Sequence, residues 1–169
     1  MDSPQLLDLA ARVEITEAMY KVARSLDSCD WDLLRSVITD DIVIDMSSYA
    51  GESSVFGAEE WLARGQRLFP NLTATQHLLA NPVVKVRGDE ADCVMEVQAK
   101  HVRVTHRGQA TYDLGGYYAV GFRRCADGRW RAARFTLTVT WEEGNPSIMA
   151  QAVAAEGESD GVRRLPGRV

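Results

Sequence analysis

Apolar residues in the first half of the chain recur every three to four positions, which is typical of amphipathic helices. The apolar face of the first helix includes Leu9, Val13 and Leu26. The predicted elements of this half are, in chain order, a helix over residues 5–26, a short helix capped by Asp30, a strand over residues 41–47 and a helix over residues 57–69.

From about residue 72 onward the pattern changes to the two-residue alternation of β-strands. The predicted elements of this half are strands over residues 78–86 (interrupted at Asn81-Pro82), 91–104, 110–124 and 129–142, then a short helix or covering strand over residues 145–155. His101 shares the apolar parity of its strand and therefore points into the core. The adjacent Gly115 and Gly116 predict a bulge or sharp bend. Helices followed by a meander of strands indicate an α+β domain, with a bent sheet wrapped around helices.

Length and composition place this pattern in one soluble domain. The chain has 169 residues, of which 46% are hydrophobic, enough for a single core. We assign residues 1–155 to one domain and expect the glycine- and charge-rich residues 156–169 to be a disordered tail. The net charge of −5, with both signs interspersed, argues against a nucleic-acid partner or an anionic membrane surface.

The cysteine pattern and the N-terminus bear on the compartment. Three widely spaced cysteines, without a CxxC pair, argue against a disulfide framework and against a zinc site. The N-terminal residues do not resemble a signal peptide, and no apolar run is long enough to cross a bilayer. We therefore expect a cytoplasmic protein with no membrane partner.

The candidate chemistry centres on two histidines, His77 and His101, which flank a predicted turn and can open into one cavity. Asp27, at the end of the first helix, is either a surface carboxylate or a buried acid. A facial metal triad from these three residues is conceivable, but no HxD or HxxxH spacing supports it. No glycine-rich phosphate loop is present. We therefore expect neither a metal nor a nucleotide cofactor.

Three segments resemble scytalone dehydratase and its SnoaL-like relatives in the nuclear transport factor 2-like superfamily. They are ARSLDSCDWDLLRSVITDDIVIDMSS (residues 23–48), TQH (residues 75–77) and DGRWRAARFTLTVTW (residues 127–141), and the resemblance also covers the strand that ends at His101. It implies a cone-shaped, strongly bent mixed sheet closed by N-terminal helices around one deep pocket. It also implies a metal-free, cofactor-independent site and a homo-oligomer, either a dimer or a trimer.

The resemblance assigns roles to single residues. It pairs Asp27 with His77 for acid/base work and makes His101 the second pocket histidine. The two pocket tyrosines of the dehydratase are replaced by Leu26 and Met46, and a pocket asparagine is replaced by Ala119. Tyr20, which shares a helix face with Asp27, is our first candidate for the missing phenol. Residues expected to bind the substrate are Met46, Tyr49, Tyr117, Phe135 and Trp141.

These assignments predict a lyase of the dehydratase type that acts through an enol or enolate. The base and acid is His77, Asp27 orients it, and His101 and Tyr20 polarise the carbonyl. The many apolar pocket residues indicate a hydrophobic cyclic hydroxy-ketone, polyketide- or steroid-like. A polyketide cyclase or isomerase would use the same enolate, and a non-catalytic ligand-binding module is the alternative from another class.

Overall fold

The computed structural model describes residues 3–50 and 57–155, and the elements named below lie within those ranges. The helices are α1 (Ser3–Ser28), α2 (Trp31–Ser36), α3 (Ser47–Ala50), α4 (Ala58–Leu68) and α5 (Ser147–Ala154), with a 3-10 turn at Phe69–Asn71. The strands are β1 (Ile38–Asp45), β2 (Ala74–Arg87), β3 (Glu90–Thr105), β4 (Gly108–Arg124) and β5 (Trp130–Gly144). The tail predicted over residues 156–169 lies outside the described residues.

The five strands form one mixed, bent and unclosed sheet in the order β1-β5-β4-β3-β2. The β1–β5 pair is parallel, and the other neighbours are antiparallel. This arrangement confirms the predicted α+β class. No described helix is both long and apolar enough to cross a membrane.

Helix α1 packs against the sheet through a narrow apolar stripe, and it contacts β2. Ile15, Met19 and Val22 are fully or almost fully buried, at the three- and four-residue spacing of one helix face. The predicted use of Leu9 and Val13 in this face is wrong, because both are about half exposed. Val13 lies two residues before Ile15, so it points roughly 200° away around the helix.

Strand β3 alternates between buried and exposed residues along nearly its whole length. His101 is 2% exposed and belongs to the buried set, as its parity predicts. The β3–β4 register runs without a shift from Glu90 to Thr105. The inner face of β3 therefore keeps the simple two-residue period that the sequence displays.

The predicted bulge lies at Gly115 and Gly116, where the β4–β5 register shifts. Gly115 pairs with Trp141 and Gly116 with Val139, so Thr140 is the extra residue on β5. A Cβ on Gly116 would lie 1.9 Å from the carbonyl oxygen of Thr138. Only glycine therefore fits there. Because Thr140 is an extra residue, the side chains that follow it on β5 point to the face opposite to the one that the two-residue period predicts.

Strand β2 starts earlier than the alternation predicted and includes His77. Its register shifts between Ala80 and Val83, where the sequence predicted an interruption. Asn81 has a φ of 53°, in the left-handed region. The segment predicted as a short helix or covering strand near the C-terminus is helix α5.

Candidate active site

Asp27 and His77 form a hydrogen-bonded pair between the last turn of α1 and the start of β2. One carboxylate oxygen, Oδ1, lies 2.7 Å from Nδ1 of His77, and the other accepts the backbone N–H of His77 at 2.9 Å. A carboxylate can only accept, so Nδ1 of His77 carries the hydrogen. The lone pair of the neutral ring therefore lies on Nε2, the nitrogen that a base would use.

Both members of the pair are largely shielded from water. The side chain of His77 is 5% exposed and that of Asp27 is 19% exposed. Burial raises the pKa of Asp27, but the hydrogen bonds and charge of His77 outweigh it, so the pKa lies below its ordinary value of 3.8. Asp27 is thus an anion at neutral pH, able to stabilise an imidazolium at His77.

His101 lies beside His77, but its ring is hydrogen-bonded to a backbone carbonyl rather than to a carboxylate. The two ring centroids are 5.8 Å apart, and the rings are nearly perpendicular. Nδ1 of His101 lies 3.1 Å from the backbone carbonyl oxygen of Tyr112, which can only accept, so this nitrogen also carries hydrogen. Burial, followed by the nearby charge of His77, lowers the pKa of His101 to about 4. At neutral pH its Nε2 can accept a hydrogen bond but cannot donate one.

The two histidines line a cavity of about 330 Å³. Most of its wall is apolar, and the described residues that line it are Leu26, Met46, Tyr49, Trp61, Arg64, Gly65, Leu68, Phe69, His77, Ala99, His101, Leu114, Tyr118, Leu137 and Met149. This is a hydrophobic chamber with a few polar groups, which is the usual composition of a site for a small apolar molecule.

Tyr118 is a cavity residue that the sequence analysis missed. It lies on the inner face of β4, opposite Met95 of β3. Burial, with a contribution from the negative charge of Asp27, raises the pKa of its phenol, which therefore stays a neutral donor. Its parity with Val120 and Phe122 could have revealed it, but the glycine pair obscured the inner face of this strand. Arg64, which is ion-paired with Glu60, was also missed.

A second group of polar residues extends from the cavity wall. Tyr49 lines the cavity, and its ring centroid lies 6.4 Å from that of Tyr112. The Tyr112 hydroxyl donates to the carboxylate of Glu142. Glu142 reaches this position because it pairs with Leu114 on the inner face, beyond the β5 bulge. Met46 also lines the cavity, so two of the predicted substrate-binding residues, Met46 and Tyr49, are in place.

Five predicted site residues are not among the described residues that line the cavity: Asp27, which holds His77 from α1, and Tyr20, Tyr117, Phe135 and Trp141. Tyr20 is 47% exposed. It shares a helix face with Asp27, but this face is exposed to solvent at Tyr20, two turns before Asp27. Tyr117 and Trp141 lie on the outer face of the sheet, and the bulge is what turns Trp141 outward. Phe135 is buried behind the wall, with its ring 4.6 Å from that of Tyr118.

Ala119, which the resemblance matches to a pocket asparagine, lies on the outer face of the sheet. Ala119 pairs with Val94 and Thr136 on the outer parity. The neighbouring Tyr118 takes the inward position on this strand. The side chain that this part of β4 directs into the cavity is therefore the phenol of Tyr118 and not the methyl group of Ala119.

With this geometry in place, comparison with known proteins identifies the family. The model of the SnoaL-like domain matches residues 7–136, so the chain belongs to the SnoaL-like domain family. A protein named as a dehydratase from Pestalotiopsis microspora is 30% identical over 137 residues, covering 76% of this chain and 86% of that protein. Terrestric acid biosynthesis cluster protein E of Penicillium crustosum is 25% identical over 148 residues, covering 85% and 92%.

Solved structures agree on the fold. A protein from Kribbella flavida superposes with a TM-score of 0.79 and 28% identity, covering 85% of this chain and 99% of that one. A nuclear transport factor 2-like superfamily protein from Salmonella enterica superposes with a TM-score of 0.68 and 15% identity, covering 79% and 94%. The fold is therefore that of the nuclear transport factor 2-like superfamily.

Proposed function

We propose that the protein is a cofactor-independent dehydratase that removes water from a hydrophobic cyclic hydroxy-ketone. The observation that carries this proposal is the Asp27–His77 hydrogen bond, with the His77 ring lining an apolar cavity. Asp27 fixes the tautomer of His77, so that Nε2 is the basic atom. The dehydratase named among the relatives supports the reaction class.

The reaction needs a group that first acts as a base and then, once protonated, acts as an acid. Nε2 of His77 removes the proton α to the substrate carbonyl, and the resulting imidazolium is stabilised by the Asp27 carboxylate. The enolate then re-forms the carbonyl, the double bond closes between the α and β carbons, and the β-hydroxyl leaves. It departs as water with the proton returned by His77. One group serves both steps, so the proton and the hydroxyl leave from the same face.

The developing enolate oxygen needs a hydrogen-bond donor. His101 cannot supply it at neutral pH, because its one ring hydrogen is given to Tyr112. We assign the donor role to Tyr118, whose phenol stays protonated and lines the same cavity. His101 then acts as an acceptor, and its Nε2 orients the substrate through a substrate hydroxyl. Tyr49 and Met46 contact the remainder of the ring system.

The substrate class follows from the chamber. A volume of about 330 Å³ with a mostly apolar wall accommodates a small fused-ring or polyketide-like ketone. The relative named for a terrestric acid biosynthesis cluster supports a small-molecule substrate. An isomerase or cyclase would form the same enolate but would return the proton to carbon or make a new carbon–carbon bond.

The decisive test is a pair of substitutions assayed on a panel of cyclic β-hydroxy-ketones. We expect His77→Ala to lower kcat by about 10²- to 10⁴-fold, because the base is lost. Asp27→Asn should lower kcat by a similar factor, because the amide no longer fixes the tautomer or stabilises the imidazolium. Product mass separates the reactions: dehydration lowers it by one water, whereas isomerisation leaves it unchanged.

Tyr20→Phe is the matched control, since Tyr20 lies outside the cavity, and it should retain the wild-type kcat. Wild-type rates in both His77→Ala and Asp27→Asn would refute the mechanism. Tight binding of the ketones without turnover in the unmodified protein would support a ligand-binding module instead.

A further inference from the structure

A second cavity, of about 530 Å³, lies between α5 and the turn that joins β3 to β4. None of the described residues that line it also lines the histidine cavity. Helix α5 contacts both spaces, since Met149 lines the first and Gln151 lines the second. The second cavity is therefore a separate space with its own chemistry.

Arg103 is the buried charged residue that lines this cavity. It lies on the inner face of β3, two residues after His101, and is only 7% exposed. Nη1 donates to the side-chain oxygen of Gln151 at 3.2 Å, and Nε is enclosed without a hydrogen-bond partner. Within the described ranges, no carboxylate forms an ion pair with Arg103, although exposed arginines such as Arg87 and Arg123 have such partners.

A buried arginine without an anion is energetically unfavourable. An arginine side chain carries a positive charge, and burying a charge without a counter-ion destabilises the folded state. Gln151 offers only a neutral amide. Arg107 also lines the cavity, whereas none of its described lining residues is an aspartate or glutamate. The cavity is thus positively charged and has room for a small ligand. It also contains a buried donor, Nε of Arg103, without a hydrogen-bond acceptor.

We propose that this second cavity binds an oxyanion, a carboxylate or phosphate group that pairs with Arg103. Two oxygens of such a group match the fork of the guanidinium. The oxyanion has two possible sources: a free small molecule, or the chain itself. Glu156, Glu158 and Asp160 follow Ala155 in the sequence, and Ala155 is at the cavity wall.

The experiment is a titration of the full-length protein with inorganic phosphate at low ionic strength, followed by calorimetry. It compares wild type, Arg103→Gln and a triple variant, Glu156→Gln/Glu158→Gln/Asp160→Asn. If the anion is a free molecule, wild type binds phosphate and Arg103→Gln binds it at least about tenfold more weakly. If the chain supplies its own carboxylate, phosphate binds the triple variant more tightly than wild type, and Arg103→Gln abolishes that gain.

Arg129→Gln, which removes the same charge from an exposed position, is the matched control and should leave phosphate binding unchanged. If Arg103→Gln does not fold, Arg103→Lys and the NMR shift of the Arg103 Nε–H resonance in unmodified protein provide the readout. The absence of Arg103-dependent phosphate binding in both wild type and the triple variant would overturn the proposal. Neither result depends on whether the histidine cavity is catalytic.

Discussion

At the scale of single residues, the two cavity histidines differ in what supports their rings. Both hold the hydrogen on Nδ1, but His77 gives it to a carboxylate and His101 gives it to a backbone carbonyl. A carboxylate stabilises an added proton on the opposite nitrogen, whereas a buried carbonyl dipole does so far less. This difference supports the proposed roles, in which His77 transfers the proton and His101 orients the substrate.

Tyr118→Phe tests the donor assigned to the enolate. Loss of one hydrogen bond to a developing oxyanion should lower kcat by about 10²- to 10³-fold, with the fold retained because the ring remains. The measurement is steady-state kinetics on a ketone that the wild type dehydrates. Tyr117→Phe removes the neighbouring hydroxyl on the outer face and should have no effect. Equal kcat values for the two variants would assign the donor elsewhere.

The pKa of His101 predicts loss of stability in acid. The folded-state value of about 4 lies below the ordinary 6.5, so between these values the unfolded chain binds a proton that the folded chain does not. The contribution is fully present above pH 6.5 and falls as the pH decreases toward 4. The loss is on the order of 3 kcal/mol.

Urea unfolding across this pH range measures the effect. The free energy of unfolding of His101→Gln should fall less steeply with decreasing pH than that of wild type. Asp27, whose pKa is also lowered, contributes to the acid loss in both proteins. Parallel curves for wild type and His101→Gln would show that His101 is not the source.

At the scale of elements, the bulge between β4 and β5 determines which side chains reach the cavity. The extra residue, Thr140, turns Trp141 outward and places Glu142 opposite Leu114 on the inner face. Glu142 then accepts a hydrogen bond from Tyr112, whose carbonyl in turn holds His101. The bulge on β5 thus helps to hold the ring of His101 on β3, two strands away.

Gly116→Ala is expected to disrupt this arrangement. The added methyl would lie 1.9 Å from a backbone oxygen, which cannot move away as a flexible side chain could. We expect a loss of at least about 2 kcal/mol in the free energy of unfolding, measured in urea. Gly57→Ala is the control, because the nearest atom to its new Cβ is 3.9 Å away, and it should change stability far less. Similar losses in both variants would contradict the packing argument.

Strand periodicity determined which site residues the sequence could predict. His101 was placed correctly because β3 alternates without a shift, so its parity could be followed from Cys93. Trp141 was misplaced because a one-residue insertion reverses parity and leaves no mark on β5 itself. Tyr20 was misplaced because helical spacing relates it to Asp27 but does not reveal what covers each turn.

The fold class needed less information than the site. Because the helical and the alternating patterns occupy separate halves of the chain, the sequence alone predicts the α+β class. The family resemblance predicts the bent shape of the sheet. The Asp27–His77 pairing came from that resemblance, since 50 residues separate the two in sequence. Only the folded chain reveals the tautomers of the two histidines and the unpaired charge of Arg103.

At the scale of the whole molecule, the sheet has one face against the helices and another that carries exposed apolar side chains. Leu78, Tyr117 and Trp141 line a shallow depression on this outer face. All three are more than a third exposed. Clustered apolar side chains of this kind favour association with a second copy.

We therefore expect the full-length protein to sediment as a homo-oligomer that assembles through this face. Leu78→Asp combined with Tyr117→Asp should shift it toward the monomer, because each charge would be buried in the interface. Val13→Asp, at an equally exposed apolar position on α1, should leave the sedimentation unchanged. A monomeric wild type at micromolar concentration would refute this expectation.

The carboxylate of Asp27 also has a consequence for the margin of the sheet. Within the described residues, strand β2 has a neighbouring strand on one side only, so the backbone groups on its other side have no strand partner. Asp27 pairs with one of these groups by accepting the backbone N–H of His77. In a relative without catalytic activity, an acid at this position would still pair with a backbone N–H of the edge strand and so protect against aggregation. An aspartate at this position alone is therefore weaker support for an enzyme than an aspartate paired with a histidine.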